Sequence, residues 1–336
     1  MLLSYLLFVV GFVLLVKGAD WLVDGAAALA RRFGISEIAI GLTIVAFGTS
    51  APELVVNILA SLKTEGELVV GNIIGSNIAN LGLGLGLAGL IAPLIVKKSI
   101  IRKEIPLGLL GAALIYLLAA HPGRLPETLT IQPFGGIVLV LGFCIFLYFI
   151  WKAEKAGEIP QPEKDSLGLG MAIFLTLAGL AGLALGGEMV VKNAIFLAES
   201  WGVSEKLIGL TLVAVGTSLP ELVTSITAAR RGKSDIAIGN IVGSNVFNIF
   251  WVLGLSAIIA PVNYSSKMVV DLVVLAGVTI FFVLATFLGK SGFRLRFWKK
   301  RSALELLGQE NVLNRFGAAV LVFAYVGYVA FIVTRG

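Results

Sequence analysis

Charge is what this sequence has least of. Only 14% of its 336 residues are Asp, Glu, Lys or Arg, against 58% that are hydrophobic, and the mean hydropathy is +0.98. A water-soluble domain is about a quarter charged, so a soluble enzyme is excluded. The single cysteine, Cys144, excludes a disulfide framework and a thiolate metal site. One histidine, His121, beside Pro122 in a polar connection, argues against an imidazole-ligated transition metal. Cys144 reads as a packing residue and His121 as a loop residue. Nucleophile-elbow, metalloprotease and Gly-x-Gly-Asp protease motifs are missing, so no enzymatic activity is expected.

Long apolar runs are what the sequence does have, among them Leu2–Val16, Ile105–Ala120, Ile137–Trp151, Met268–Leu288 and Gly317–Val333. A hydrocarbon core of ~30 Å is crossed by about 20 helical residues, so the chain reads as an all-α polytopic membrane protein. The first run lacks a preceding basic segment and a small-residue cleavage site. It is expected to be a retained helix rather than a signal peptide.

Sliding the chain by 168 residues lays Gly34–Pro93 over Gly202–Pro261 without a gap, with 31 of 60 positions identical. Gly-Leu-Thr, Gly-Thr-Ser, Pro-Glu-Leu-Val, Gly-Ser-Asn and Ile-Ala-Pro recur in phase, the signature of an internal duplication. Each half reads as five spans: 2–30, 36–62, 67–92, 104–120 and 132–152, then 167–199, 204–229, 235–260, 268–289 and 312–334. The expected units are a first five-helix repeat (1–152, motif segment 41–92), a short linker (153–166) and a second five-helix repeat (167–336, motif segment 209–260). Eighteen Lys and Arg fall in alternate connections, such as Arg31, Lys97, Lys152, Arg230 and the cluster at 290–301, and five in the intervening ones. The positive-inside rule puts the richer set in the cytoplasm and both termini outside. The net charge of +6 then reports topology and contact with anionic lipid rather than nucleic acid. Five is odd, so the second copy enters from the opposite side. The expected architecture is ten transmembrane helices in two inverted-topology repeats, which place a substrate site between them near mid-bilayer.

Within the duplicated segments two carboxylates, Glu53 and Glu221, occupy equivalent intramembrane positions. Each costs ~2.5–3.5 kcal/mol to insert, and the motifs contain no Lys or Arg to neutralise them. The expected partner is therefore a cation. Thr49 and Ser50 precede the first glutamate, and Thr217 and Ser218 the second. Pro52 and Pro220 each remove a helical hydrogen bond, freeing carbonyls near Ala46–Thr49 and Ala214–Thr217 to line a cavity. The next span of each half presents Ser76 and Asn80, mirrored by Ser244 and Asn248, at i and i+4 on one helix face. Asn72, Asn77, Asn240 and Asn245 read as interhelical hydrogen-bonding residues. An all-oxygen set of this kind suits hard cations such as Ca²⁺ or Na⁺ and disfavours Zn²⁺ and copper.

The paired Gly-Thr-Ser-x-Pro-Glu and Gly-Ser-Asn-x-x-Asn segments resemble the two alpha repeats of the calcium/cation antiporter superfamily, in particular its sodium/calcium exchangers of prokaryotic type. The resemblance covers essentially the whole chain. It implies that Glu53, Glu221 and the carbonyls of Thr49 and Thr217 bind Ca²⁺. It also implies that Na⁺ uses the same glutamates with Ser76, Ser244 and the carbonyls of Ala46 and Ala214. Several Na⁺ would exchange electrogenically for one Ca²⁺, with no cofactor and no protein partner, in a cytoplasmic or inner membrane. The potassium-dependent branch typically has Asp where this chain has Asn248, so potassium dependence is not expected. A Ca²⁺/H⁺ antiporter using the two glutamates as proton carriers is the alternative; a cation channel and a non-transporting scaffold fit the duplicated broken helices and buried glutamates less well.

Two further signals read as structural. Gly84-x-Gly86-x-x-Gly89 formally matches a dinucleotide fingerprint but lies in an apolar span, where small residues permit close helix packing. Asp20, Asp24, Glu188 and Lys192, near the ends of the long first spans, read as interfacial residues, and those long spans are expected to rock against the rest of the bundle.

Overall fold

The computed structural model describes residues 1–120, 127–155, 167–202, 214–289 and 311–335. His121, the linker residues 156–166, the start of the second motif segment and the basic cluster at 290–301 lie outside them.

The described chain is mostly helical. In order, the elements are α1 (Leu2–Phe33), α2 (Glu37–Thr49), α3 (Ala51–Leu62), α4 (Gly66–Ile91), β1 (Leu94–Val96), α5 (Ile105–Leu117), β2 (Thr128–Ile131), α6 (Pro133–Lys155), α7 (Leu169–Ser200), α8 (Ala214–Gly216), α9 (Leu219–Arg230), α10 (Ser234–Ile259), β3 (Val262–Ser265), α11 (Val269–Leu288), β4 (Asn311–Leu313) and α12 (Arg315–Arg335). Among the described residues seven helices are long and apolar enough to cross a membrane, and α2 with α3 forms an eighth candidate bent by 48°. Two other expected spans are not among these: the helix that runs through the π-turn Ile100–Glu104 into α5 carries Arg102, Lys103 and Glu104 in its first turns, and α9 follows a segment that is not described.

Local chemistry explains the boundaries. Helix α1 ends at Gly34 with φ 63°, and the equivalent Gly202 has φ 79°, a conformation glycine adopts without a Cβ penalty. Ser36 caps α2, its Oγ accepting from the Ala39 N–H at 3.0 Å. The repeated Ile-Ala-Pro ends α4 and α10 in the same way. Ala92 (φ −141°, ψ 135°) and Ala260 (φ −152°, ψ 149°) are extended, as a residue before proline prefers. The chain then runs into short strands.

Those strands depart from the all-α expectation. β1 pairs antiparallel with β4 (Leu94 opposite Leu313), and β2 with β3 (Thr128 opposite Ser265). Each ribbon joins a connection from the first half to one from the second, satisfying backbone groups that leave the helices extended.

Burial separates a core from a rim. In α4 and α10, 78% and 83% of the most apolar window is buried, against 22% in α1 and 28% in α6 and α12. α4 and α10 therefore stand at the centre, and the others present Leu, Val and Phe side chains outward. Cys144 is on that outer surface of α6. The expectation that it packs inside fails because the run around it is apolar on all sides and carries no periodicity to mark an inner face. Helices α1 and α7 cross closely through glycines: a Cβ on Gly18 would lie 2.7 Å from the Leu183 nitrogen, and one on Gly179 2.5 Å from the Leu22 nitrogen. Gly86 and Gly89 bring α4 equally close to Val322 and Ala318 of α12, the packing role expected of that glycine pattern.

Candidate functional site

Both glutamates are buried, Glu53 at 1% and Glu221 at 0% exposure, each in the first turn of the helix that follows a break. The breaks fall at Ser50 (φ −85°, ψ 8°) and Ser218 (φ −86°, ψ 2°), and the proline after each occupies the first or second helical position. There its missing N–H costs nothing. Thus the prolines begin helices rather than kink them, and each glutamate sits at a helix N-terminus, where the backbone dipole favours negative charge.

The two halves cross over at these residues. Ser50 Oγ donates to Glu221 Oε1 at 2.7 Å. Ser244 of α10 lies 3.4 Å from the same oxygen and 3.4 Å from the Ala46 carbonyl. Glu53 is within electrostatic reach of Glu221, with Thr217 and Ser218 beside it. One turn beyond Ser244, Asn248 Nδ2 donates to Ser76 Oγ and to Asn77 Oδ1, both at 3.3 Å. One turn beyond Ser76, Asn80 Nδ2 donates to Asn245 Oδ1 at 3.1 Å. Asn77 and Asn245 close the ring reciprocally, each Nδ2 donating to the other's backbone carbonyl at 3.2 and 3.1 Å. π-helical turns start at Asn80 and at Phe247, beside Asn248, as such turns often do at functional positions.

The amide donors of this ring are spent on one another's oxygens and carbonyls, and several acceptors are left over. Both oxygens of Glu53, Oε2 of Glu221, and Oδ1 of Asn80 and of Asn248 are buried without a partner, as is the Ser218 hydroxyl. Orphaned buried acceptors cost ~1–3 kcal/mol each and more when charged, so their concentration here marks a place built for a cation. Among the described residues no three His, Cys, Asp or Glu gather; two carboxylates and neutral oxygens make up the set.

The remaining expected residues fall around this ring. The Thr49 hydroxyl bonds Asn240 Oδ1 at 3.0 Å and its own Ala46 carbonyl at 3.3 Å. Thr217 reaches Asn72 Oδ1 at 3.3 Å. Ala214 opens the described part of α8. Asn72 and Asn240, read from sequence as interhelical residues, hold the two threonines. Asn240 Nδ2 also donates to the Glu221 carbonyl at 3.1 Å and to Ser225 at 2.9 Å. Asn57 and Ser225 escaped the sequence reading. Asn57 Nδ2 donates to the Glu53 carbonyl at 2.7 Å, and both positions are one helical turn after a motif glutamate, the spacing that would have found them.

Interfacial charges are paired. Arg231, after α9, donates to Asp20 at 2.6 Å and to Asp24, both on α1. Lys233 and Arg31 converge on Glu37 at 2.5 and 3.6 Å, and Lys97 meets Asp235 at 2.5 Å. Glu188 and Lys192 pair with each other along α7.

A pair of buried carboxylates ringed by hydroxyls and amides, on broken helices that cross between two copies of one motif, is an arrangement suited to carrying a cation across a membrane. The family profile described as Sodium/calcium exchanger protein matches residues 3–152 and 171–334, so the chain belongs to the sodium/calcium exchanger protein family, a family of transporters. Inner membrane protein YrbG of Escherichia coli is 41% identical over 272 residues, 78% of this chain and 81% of that protein. Sodium/calcium exchanger MaX1 of Methanosarcina acetivorans is 34% identical over 294 residues, 77% and 84% of the two chains. A structure of the sodium-calcium exchanger NCX_Mj from a crystal soaked with Na⁺ and Ca²⁺ superposes with a TM-score of 0.77 at 30% identity, covering 98% of each chain.

Proposed function

We propose that this protein exchanges Na⁺ for Ca²⁺ across the membrane by alternating access, electrogenically, with Glu53 and Glu221 as the shared carboxylates. The observation that carries this reading is the convergence of orphaned acceptor oxygens from both motif copies around two carboxylates that no Lys or Arg among the described residues neutralises. Ca²⁺ takes six to eight oxygens at ~2.3–2.6 Å, and the ring offers the carboxylates, Asn80, Asn248 and Ser218 before any backbone carbonyl is counted. Ala46, Thr49, Ser50, Ser76, Ser244, Thr217 and Ala214 complete the proposed ligand set for Ca²⁺ and for Na⁺ in turn. Two ions competing for one pair of carboxylates is the physical basis of obligatory exchange. Reorienting the bare dianionic site carries a desolvation cost that a bound cation removes.

In this reading the chain forms ten spans in two inverted halves, with both termini outside an inner or cytoplasmic membrane, and α1 and α7 rock against the rest. Charge asymmetry between alternate connections and the matched breaks at Ser50 and Ser218 support it. If one net charge moves per cycle, ~100 mV contributes about 2.3 kcal/mol.

Radiolabelled Ca²⁺ efflux from proteoliposomes, with external Na⁺, K⁺ and pH varied separately, tests the proposal. Efflux driven by Na⁺ at constant pH is expected. Efflux that needs only a pH gradient would replace Na⁺ by protons as the driving ion, and flux without any counter-ion would make the protein a channel.

A further inference from the structure

Outside the ring lies a second pocket, a cavity of about 20 Å³ among α4, α5, α10 and α11 that is lined mostly by apolar side chains and by neither Glu53 nor Glu221. Its polar lining is Glu104, Asn77, Asn245 and Thr279. Glu104 ends the π-helical turn before α5 and is 8% exposed, and its Oε2 is buried with no hydrogen-bond partner among the described residues.

The other polar groups are arranged as acceptors. The Thr279 hydroxyl donates to the Leu275 carbonyl at 2.6 Å, which leaves its lone pairs free. Asn77 and Asn245 use their amide nitrogens on each other's backbone carbonyls, and their side-chain oxygens each accept one bond, from Asn248 and Asn80 respectively, and keep one lone pair. Glu104 is the one titratable group in the lining. Of the acidic groups on the neighbouring helices, Asp235 of α10 pairs with Lys97 and Asp271 of α11 with Arg335, and Glu67 of α4 is exposed in the first turn of its helix; Arg102 and Lys103 precede Glu104 on its own turn. The pocket thus combines one formal negative charge, acceptor oxygens and room for one water-sized occupant, which needs ~10–15 Å³. A divalent ion would keep an uncompensated charge there, whereas a buried carboxylate with a single positive partner is neutral.

We propose that Glu104, with Thr279 and the side-chain oxygens of Asn77 and Asn245, forms a second cation site that holds one monovalent charge, a sodium ion or a proton. The site shares Asn77 and Asn245 with the central ring but not its carboxylates. Its existence is therefore separable from the exchange reading and is tested where the central site is neutral.

The test uses the full-length E53Q/E221Q double variant, purified in detergent. It combines equilibrium binding of radiolabelled Na⁺ with infrared difference spectroscopy of the carboxyl stretch over a pH series. If the occupant is sodium, the double variant binds one Na⁺ per chain, and adding Glu104→Gln weakens that binding at least tenfold. Adding Thr279→Val, which keeps the carboxylate, weakens it less. If the occupant is a proton, Na⁺ binding is absent, and the double variant shows a protonated carboxyl band that Glu104→Gln removes and Thr279→Val leaves. The proposal is overturned if neither Na⁺ binding nor the carboxyl band differs between the double variant and its Glu104→Gln derivative, both eluting as monodisperse folded protein. Failure of the exchange reading would appear instead as absent Ca²⁺ flux in the wild-type chain.

Discussion

Ser50 and Glu221 are 171 residues apart in sequence and 2.7 Å apart in space, the serine Oγ donating to Glu221 Oε1. A hydroxyl from one copy of the motif thereby holds the carboxylate of the other. Hydrogen bonds to charged groups contribute ~1.5–3 kcal/mol. Ser50→Ala should weaken apparent Ca²⁺ affinity roughly tenfold or more, measured as the half-saturating Ca²⁺ concentration for uptake. Ser218 lies beside Glu53 but closes no hydrogen bond of that length, so Ser218→Ala should cost less; equal losses would show that the asymmetry is irrelevant to transport.

Glu53→Gln and Glu221→Gln should each reduce Ca²⁺ flux to the level of empty liposomes while the protein still elutes as a folded species. In cation-free buffer the variants should be at least as heat-stable as the wild type, because an uncompensated buried charge has been removed. Ca²⁺ at a hundred times its dissociation constant should stabilise the wild type by ~2.7 kcal/mol and the variants by almost nothing. A normal Ca²⁺-induced rise in melting temperature in both variants would refute the role of these carboxylates.

Close packing of α1 on α7 gives a prediction about stability. A Cβ at Gly18 meets backbone atoms at 2.7 and 2.9 Å, whereas one at Gly277 meets nothing within 4 Å. Gly18→Ala should cost ~1–3 kcal/mol, the usual effect of overpacking, and Gly277→Ala should be neutral in the same thermal unfolding assay. Comparable melting temperatures for the two would mean that α1 and α7 separate easily.

Arg231 ties the connection after α9 to Asp20 and Asp24 of α1, at the end of the bundle proposed to be cytoplasmic. Partly exposed pairs of this kind are worth ~0.2–1 kcal/mol each. If α1 must leave this connection for the site to open on that side, Arg231→Ala should shift the balance towards the open form by about fivefold. The readout is the labelling rate of a cysteine placed beside Asp24, in a chain whose Cys144 is replaced by Ala. High salt should reproduce part of the shift in the wild type; an unchanged rate would leave Arg231 a static surface contact.

Much of the architecture was legible because membrane insertion imposes simple rules. The apolar runs, the duplication and the prolines beside the glutamates are read directly from the residues, and among the described residues seven of the ten expected spans appear as long apolar helices and an eighth as a bent pair. What was misread shares a cause. Cys144 was assigned inward because a uniformly apolar helix gives no periodic signal of which face meets protein and which meets lipid. The short strands β1 to β4 were invisible because each pairs with a partner well over a hundred residues away. Asn57 and Ser225 were passed over because their function is to hold a glutamate's backbone and a neighbouring asparagine.

Read alone, the sequence pointed to two carboxylates in two equivalent motif sets, since burying a charge or breaking a helix in hydrocarbon costs too much to occur twice without use. Only the folded chain decided how the sets meet. Ser50 crosses to Glu221, Asn77 locks with Asn245, the amide donors are spent within the ring while several acceptors stay free, and Glu104 faces a pocket that shares Asn77 and Asn245 with that ring. These are relations between residues distant in sequence, and long-range packing, which local propensity does not encode, determines them.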